Sequence, residues 1–349
     1  MQHFAQVGTG VAETPPSSAL SAAGTLADRW GRRITYIRLS VTDRCDFRCR
    51  YCMPMRTKFL PKKMIMSLEE CLRVARAFSR LGVRKVRLTG GEPLVRPGVA
   101  GLCGQIAALP GVSEVALTTN GSQLPKLARA LKDAGVRRVN ISLDTLDEVK
   151  FRALTRTGDL HSVLAGIDAA LAADFPGGVK LNAVMIRGTN DGELPQLAAF
   201  ALRRGMDISF IEEMPLGDVG YRRGDTYYSA EDALARLREV FALRESDYDS
   251  GGPARYWRTE DGGKIGFITP HSRNFCAQCN RVRITASGRL YPCLGGDEYV
   301  DLLDAVRRPS DAPLVSRIMS AMDIKPEGHE FNVHSAEAKV VRFMSATGG

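Results

Sequence analysis

The stretch Cys45-Asp-Phe-Arg-Cys49-Arg-Tyr51-Cys52 places three cysteines in one short loop. Thiolates are soft ligands, so this spacing favours zinc or an iron–sulfur cluster. Both kinds of centre normally take four protein ligands when they are purely structural. Because a fourth cysteine is absent, a four-iron cluster here would keep one iron free to bind another molecule, which indicates a reactive cluster. The alternative is a zinc site completed by a distant histidine such as His161.

On both sides of the cysteine loop, between residues 34 and 212, sequence patterns typical of β-strands alternate with patterns typical of amphipathic helices. Such alternation requires parallel strands joined by crossovers, in a barrel or a doubly wound sheet. A complete barrel has eight units and about 250 residues, so six units predict an incomplete (β/α)6 barrel, open on one side, in an α/β protein. The predicted strands are 34–41, 85–89, 114–118, 138–143, 180–185 and 207–212.

Two local motifs flank the second predicted strand. Before it, Ser67 and Glu70 have the S-x-x-E spacing of a capping box, which predicts the start of an amphipathic helix. After it come Gly90, Gly91 and Glu92. Glycines at a strand end let a ligand approach the backbone closely, and a glutamate can accept hydrogen bonds from an ammonium group. This turn is therefore a candidate binding site.

The 349-residue chain is long enough for a large core or for two domains. Its composition, 44% hydrophobic and 25% charged, is typical of a soluble globular protein. No apolar run approaches the roughly 18 residues of a membrane helix. We expect a flexible arm over residues 1–30, the barrel over 31–245, and a small strand-containing domain over 246–349 that closes the open side. Cys71 and Cys103 lie among apolar residues, so we expect them to be buried packing residues.

A second set of three cysteines lies in the C-terminal part of the chain. It consists of Cys276, Cys279 and Cys293. This set also lacks a fourth cysteine, and His271 is close enough in sequence to complete a zinc site as the alternative. Directly after the C-x-x-C pair, Arg281 and Arg283 occupy alternate positions of a predicted strand, so both face the same side and could grip a polyphosphate. The net charge of +9 also fits an anionic partner.

The C-x3-C-x2-C loop with an aromatic residue before its third cysteine resembles the signature of the radical S-adenosylmethionine (SAM) superfamily. From about residue 30 to the end, the chain resembles the family of GTP 3′,8-cyclases, lyases that catalyse the first step of molybdenum cofactor biosynthesis. Minor departures are Ser287, Thr347 and the N-terminal arm. The resembling stretches are Ile37–Cys45, Arg87–Leu94, Leu117–Gly121, Asn140–Asp144, Lys180–Asn182, Cys276–Arg283, Cys293–Leu294 and Phe343–Gly349.

This resemblance implies a radical SAM barrel, two 4Fe-4S clusters, SAM and the substrate GTP. The SAM cluster would be held by Cys45, Cys49 and Cys52, and the second cluster, which binds the guanine base, by Cys276, Cys279 and Cys293. The SAM site would be lined by Tyr51, Gly91, Ser142 and Met214. The substrate would be held by Arg38, Arg87, Thr118, Lys180, Arg281, Val282 and Arg283. The catalytic tail would be Gly348 and Gly349.

The implied reaction begins when a 5′-deoxyadenosyl radical takes the C3′ hydrogen of GTP. The C3′ radical then attacks C8, and an electron with a proton completes the product, (8S)-3′,8-cyclo-7,8-dihydroguanosine 5′-triphosphate. The resemblance further implies a cytoplasmic enzyme, an electron donor such as flavodoxin or ferredoxin, and a downstream cyclic pyranopterin monophosphate synthase. It implies neither a membrane nor a nucleic-acid partner, and it leaves a homodimer open.

Two other functions remain open at this point. A radical SAM barrel whose C-terminal cluster carries electrons would modify a peptide, as in the related maturases, although those enzymes usually have more C-terminal cysteines. A basic zinc protein that binds nucleic acid would be colourless and would bind in a salt-sensitive way. Its positive charges, however, are scattered rather than gathered into one basic run.

Overall fold

Six parallel strands lie side by side in the computed structural model, which describes residues 24–335 and 340–348. They are β1 (Tyr36–Ser40), β2 (Lys85–Thr89), β3 (Glu114–Thr119), β4 (Val136–Ser142), β5 (Val179–Met185) and β6 (Asp207–Glu212). Neighbours in the sheet follow chain order, so each connection crosses over to the next parallel strand. The predicted α/β barrel is confirmed, and two of its strands have the predicted bounds.

Helices connect these strands. They are α1 (Leu68–Arg80), α2 (Val99–Ala107), α3 (Leu124–Asp133), α4 (Glu148–Thr155), α5 (Leu160–Ala173) and α6 (Leu194–Arg203). Helix α4 is an addition to the predicted pattern, and the side chain of Asp147 starts it by accepting a hydrogen bond from the Lys150 N–H. Cys71 in α1 and Cys103 in α2 are fully buried among apolar side chains, as predicted. No helix in the described ranges is long and apolar enough to cross a bilayer.

Helix α1 begins with the predicted capping box. The Ser67 hydroxyl accepts from the Glu70 N–H at 3.1 Å, and the Glu70 carboxylate accepts from the Ser67 N–H at 2.7 Å. Two backbone donors that a helix start would otherwise leave unpaired are thus satisfied.

Replacing Ser67 by alanine is expected to lower the free energy of unfolding by about 1 kcal/mol, because the Glu70 N–H loses its acceptor. Chemical denaturation followed by circular dichroism measures this loss. Ser113→Ala is the control, since the exposed Ser113 hydroxyl only donates to the Arg84 carbonyl. Equal stability of the Ser67 and Ser113 variants would contradict the role of the capping box.

The rest of the chain extends the same sheet at both edges. Its elements are α7 (Arg223–Thr226), α8 (Ala230–Arg238), β7 (Arg244–Ser246), β8 (Arg255–Arg258), β9 (Lys264–Ile268), β10 (Arg281–Ile284), β11 (Arg289–Tyr291), β12 (Val300–Asp301), α9 (Leu303–Arg307), α10 (Ala312–Asp323) and α11 (Met344–Thr347). Strand β9 pairs in parallel with β6, and β10 pairs in parallel with β1. The residues after position 245 therefore contribute strands to the barrel wall itself, within one 12-stranded sheet.

Of the predicted N-terminal arm, residues 1–30, the first 23 lie outside the described residues. From residue 24 onward the segment is packed against the barrel. Leu26 is fully buried, and its N–H donates to the Leu81 carbonyl at 2.9 Å. The Trp30 indole N–H donates to the Lys325 carbonyl at 3.1 Å. Residues 24–30 are thus part of the folded body.

Candidate active site

Alternate residues of the strands line a strongly basic barrel interior. The strand register creates two adjacent rows. One row is Arg281, Tyr36 and Lys85, and the next is Arg283, Arg38 and Arg87. Arg138 on β4 and Lys180 on β5 line the same cavity. Seven cationic side chains therefore surround one space, and five of them were predicted as substrate ligands.

Most of these charges lack an acidic partner. Lys85 pairs with Glu114 at 3.0 Å, and within the described part of the chain the other six cations have no ion pair. The Arg38 side chain is partly buried, and its buried Nε has no hydrogen-bond partner. Because an unpaired buried charge is costly, the arrangement indicates that a multiply charged anion completes the site.

Two tyrosines, which the sequence analysis did not identify, contact the basic residues. The Arg87 guanidinium donates to the Tyr36 hydroxyl at 2.6 Å, and the Lys180 ammonium donates to the Tyr256 hydroxyl, also at 2.6 Å. Burial of Lys180, together with the nearby guanidinium of Arg87, lowers the Lys180 pKa to about 7. Burial raises the Tyr36 pKa, but the surrounding cations, Arg87 first, outweigh it and lower that pKa to about 7. Both groups therefore titrate near neutral pH.

Helix α4 holds the first cysteine loop from one side. Its last carbonyls accept from the loop backbone: Arg48 N–H donates to Thr155 and Arg50 N–H donates to Leu154, each at 2.9 Å. Phe47 of the loop packs edge-on against a phenylalanine of α4, with ring centroids 6.0 Å apart. Helix α4, which the sequence analysis missed, therefore fixes the first cysteine loop in place.

The turn after β2 holds the loop from the other side. The Gly91 N–H donates to the Thr42 carbonyl at 2.8 Å. A Cβ atom at Gly91 would lie 2.4 Å from the Arg44 carbonyl oxygen and 2.7 Å from that of Asp43. Gly91, predicted to line the SAM site, thus lies directly against the backbone of the cysteine loop, where only glycine fits.

Glu92 links the turn after β2 to the end of β3. Its carboxylate is almost completely buried and accepts from the Leu94 N–H at 2.9 Å, the Thr119 hydroxyl at 2.7 Å and the Asn120 N–H at 2.7 Å. Burial raises the Glu92 pKa to about 7, although these donors act against it. Glu92 therefore ties the turn after β2 to the end of β3 and the turn that follows it, and its contact with a ligand's ammonium group stays a prediction.

The remaining predicted ligands meet in the basic cavity. Tyr51, Ser142 and Met214 line it together with Thr118 and Val282. The Tyr51 hydroxyl also donates to Asp144 at 2.7 Å. Several lining residues were missed by the sequence analysis. Tyr36, Lys85 and Asn140 each lie two positions from a predicted ligand on the same strand, which the period of two would have revealed, whereas Asp144 lies just beyond the end of β4.

The second cysteine set lies at the opposite end of the barrel from the first. The first set follows the carboxyl end of β1, whereas Cys276 and Cys279 precede β10, which runs parallel to β1. These two cysteines and Cys293 line the basic cavity. The ring of His271, the alternative zinc ligand, instead contacts the Glu213 carbonyl through Nε2 at 2.9 Å. The basic cavity thus separates two sets of three thiols.

Each thiol set offers donors that suit an iron–sulfur cluster. All the cysteines are free thiols. Burial, then the neighbouring thiols and carboxylates, raise the pKa values of the first set, which a bound cation would offset. Backbone N–H groups also reach the sulfurs, with Phe47 donating to Cys45 at 3.3 Å and Gly295 donating to Cys293 at 3.4 Å, as is common around clusters. In the described ranges no three His, Cys, Asp or Glu side chains group tightly enough for a single metal ion.

The C-terminal tail enters the barrel. The Gly348 carbonyl accepts a hydrogen bond from Arg283, and the Ser345 backbone N–H interacts with the Cys52 sulfur. Gly348 has φ of +74°, and a Cβ atom there would lie 2.0 Å from the Thr89 hydroxyl. Gly349, the other predicted tail residue, lies outside the described residues. Gly348 thus lies between Arg283, one of the basic residues of the cavity, and the turn after β2. Only glycine fits at this position.

Comparisons with known proteins cover almost the whole chain. The model of the radical SAM superfamily matches residues 39–201, and that of the molybdenum cofactor synthesis C family matches residues 206–331. A GTP 3′,8-cyclase of Pseudomonas entomophila is 56% identical over 93% of this chain and 98% of its own. GTP 3′,8-cyclase 1 of Pseudomonas aeruginosa is 55% identical over 92% of this chain and 98% of its own.

Solved structures share the fold at low sequence identity. The Streptococcus suis protein SuiB, bound to its precursor peptide SuiA, matches 91% of this chain and 77% of its own with a TM-score of 0.56 and 18% identity. Native anSMEcpe with bound AdoMet matches 80% of this chain and 79% of its own with a TM-score of 0.55 and 13% identity. At such identities the likeness supports the barrel architecture alone.

Proposed function

This chain belongs to the GTP 3′,8-cyclase family of radical SAM enzymes, and we propose on this basis that it cyclises GTP in the first step of molybdenum cofactor biosynthesis. The observation that carries the proposal is one cavity lined by seven cationic side chains, by the three cysteines of the second set and by Tyr51 of the first cysteine loop. A structural zinc site or an electron-carrying cluster would not require these cations. They match a triphosphate in charge and in hydrogen-bond geometry.

The cysteine sets would hold the two 4Fe-4S clusters, the SAM cluster on Cys45, Cys49 and Cys52 and the second on Cys276, Cys279 and Cys293. When bound, the first cluster and SAM would supply a 5′-deoxyadenosyl radical able to take the C3′ hydrogen of GTP. Closure of the C3′–C8 bond would then need one electron and one proton to give the product. Tyr51, Gly91, Ser142 and Met214 would define the SAM side of the cavity. The second set would face the guanine base.

The cations bind and orient the triphosphate. Arg281 and Arg283 on β10 and Arg38 on β1 offer guanidinium groups from neighbouring strands, which suits the several oxygens of a polyphosphate. Arg87 and Lys180 approach from the wall of the same cavity. The Thr118 hydroxyl accepts from Arg87 at 3.2 Å and so fixes the direction of that side chain. A substrate with about four negative charges would then be held firmly enough for its ribose to keep one position.

The tail restricts the space next to the substrate. Gly348 lies against Thr89, and its carbonyl accepts a hydrogen bond from Arg283. The backbone of the tail is therefore close to an arginine that would bind the triphosphate. Met344 lines the cavity as well. Together they would exclude water and competing hydrogen donors from the reacting carbon. Gly348 and Gly349 are for this reason proposed as catalytic residues.

GTP binding is expected to weaken as pH rises from about 7 to about 9, a range in which the triphosphate gains only a fraction of a further charge. Lys180, with a pKa of about 7 in the empty site, is charged below that pH and must take up a proton to bind GTP above it. Tyr36, also with a pKa of about 7, becomes an anion above it and repels the triphosphate, so both effects have the same sign. Calorimetry in buffers of different ionisation enthalpy measures this proton uptake. Lys180→Met should reduce the number of protons taken up on GTP binding. A GTP affinity that does not change with pH would contradict the role of Lys180 and Tyr36 in binding the triphosphate.

Arg281→Ala is expected to raise the Kd for GTP roughly tenfold or more, because a charge-assisted hydrogen bond to phosphate is lost. Deoxyadenosine formation from SAM should persist at saturating GTP, since Arg281 lies at the far end of the barrel from the first cysteine set. Equilibrium binding of GTP and product analysis measure the two effects. Lys126→Ala, at an exposed position of α3, is the control. An unchanged Kd would remove Arg281 from the substrate site.

The proposed function also brings partners with it. A one-electron donor such as flavodoxin or ferredoxin would reduce the enzyme, and a cyclic pyranopterin monophosphate synthase would use its product. We propose that this takes place in the cytoplasm, without a membrane or nucleic-acid partner, and the proposal is compatible with a homodimer.

Anaerobic incubation of the reconstituted protein with SAM, dithionite and GTP tests the proposal. Formation of 5′-deoxyadenosine and a cyclised nucleotide, both dependent on GTP and identified by mass, is the expected result. Deoxyadenosine without a GTP product would keep the radical SAM barrel but reassign the substrate. Neither product, despite intact clusters, would overturn the proposal.

A further inference from the structure

We propose that Lys325 is a positioning residue for the second cluster, holding and electrostatically tuning it through the sulfur of Cys279. The inference goes beyond the proposed function, which uses the three cysteines alone, and it depends on that function only for the second cluster.

The Lys325 ammonium group is buried and has three acceptors. It donates to the Pro292 carbonyl at 2.6 Å, to the Arg281 carbonyl at 3.0 Å and to the Cys279 sulfur at 3.6 Å, while the residue is 1% exposed. Three acceptors match the three N–H donors of an ammonium group, whereas a neutral amine would offer only two. The contact geometry therefore describes a charged lysine with one hydrogen bond committed to sulfur.

A buried ammonium requires a negative charge nearby. Within the described ranges no carboxylate pairs with Lys325, and the two carbonyls that it contacts are neutral. The Cys279 sulfur is the one acceptor of the three that carries negative charge when it ligates iron. The positive charge of Lys325 is thus balanced by a cysteine that holds the cluster, which a merely structural lysine would not need.

The segment that carries Lys325 is held in place by the packed N-terminal residues. Trp30 donates to the Lys325 carbonyl at 3.1 Å. Arg32 donates to the Pro326 carbonyl at 2.6 Å and to the Cys276 carbonyl at 2.8 Å, and it pairs with Asp28 at 2.6 Å. These bonds join the Lys325 segment to the loop of Cys276. The ammonium group is consequently fixed relative to the cysteines.

Hydrogen bonds and charges around cluster sulfurs change both cluster retention and reduction potential. A positive charge beside the cluster stabilises its reduced form, which is more negative, and so raises the potential. Loss of the Lys325 charge should therefore make the second cluster harder to reduce and easier to strip.

The test uses the full chain with Cys45, Cys49 and Cys52 all changed to serine, so that only the second set can hold iron. In this parent, Lys325→Gln keeps N–H donors for the carbonyls but removes the charge, and Lys325→Arg keeps the charge. We expect Lys325→Gln to lose iron to a chelator roughly tenfold faster, the scale seen when a hydrogen bond to a metal ligand is lost, and to show a more negative midpoint potential by EPR titration. Lys325→Arg should lie closer to the parent.

Lys126→Gln, on the exposed face of α3, is the matched control and should equal the parent. Should Lys325→Gln fail to fold, Lys325→Met, which keeps the length of the side chain without its charge, replaces it, with the same two changes expected. Unchanged iron loss and potential in Lys325→Gln would overturn the proposal. A parent that takes up no iron would contradict the second cluster itself, and this inference with it. The first cluster and SAM cleavage would still be measured separately in the unmodified chain.

Discussion

Gly91→Ala should abolish SAM cleavage and remove the first cluster, lowering reconstituted iron from about eight to about four atoms per chain. The added Cβ atom would lie 2.4 Å from the Arg44 carbonyl oxygen and 2.6 Å from the carbonyl carbon. Both are backbone atoms of the segment leading to Cys45, so relief requires the cysteine loop itself to move. Iron analysis, EPR spectroscopy and deoxyadenosine formation measure the result.

Gly101→Ala is the matched control for this variant. Gly101 lies in helix α2, where an added Cβ atom would meet nothing within 4 Å, so iron content and SAM cleavage should stay at the original level. A Gly91→Ala protein with a full iron content and normal SAM cleavage would show that the turn after β2 does not fix the first cysteine loop.

Gly348→Ala is expected to reduce GTP cyclisation by about a hundredfold while iron content is retained, the scale expected when a reacting group is misplaced by roughly 1 Å. Its φ of +74° disfavours any residue with a Cβ atom, and that atom would lie 2.0 Å from the Thr89 hydroxyl. The tail would therefore lose its hydrogen bond with Arg283 and move out of the cavity. Product analysis by mass, together with iron content, measures the change.

Gly188→Ala separates backbone strain from the loss of the tail contact. Gly188 has a similar φ of +71°, but nothing lies within 4 Å of its Cβ position. Its substitution should cost about 1 kcal/mol of stability and leave cyclisation unchanged. Equal activity of the Gly348 and Gly188 variants would remove the tail from the catalytic site.

Local patterns predicted much of the barrel, because strand and helix periods are properties of neighbouring residues. The Ser67 capping box and the alternate Arg281 and Arg283 depend on spacings of two or three positions, and the structure contains both. Helix α4 escaped prediction because it is a short helix. The hydrogen bonds of Glu92 with Thr119 and Asn120 escaped prediction because they join it to the end of the next strand, which no local spacing reveals.

Contacts between distant parts of the chain were beyond the sequence analysis. Lys325 lies far from Cys279 in sequence, and no spacing rule links a lone lysine to a cysteine pair. The same holds for Tyr256, whose partner Lys180 is on another strand. Such residues become visible only when the fold brings them to one cavity.

The pairing of β1 with β10 has a consequence for synthesis of the protein on the ribosome. Tyr36 is made near the beginning of the chain, while its partner Arg281 follows after most of the barrel has been translated. Until then β1 has an unpaired edge, the kind of edge on which chains aggregate. Formation of the complete wall is therefore a late event with a high contact order, and folding should be slow compared with that of helical proteins. A nascent chain halted before β10 would already contain the first three cysteines beside an exposed strand edge.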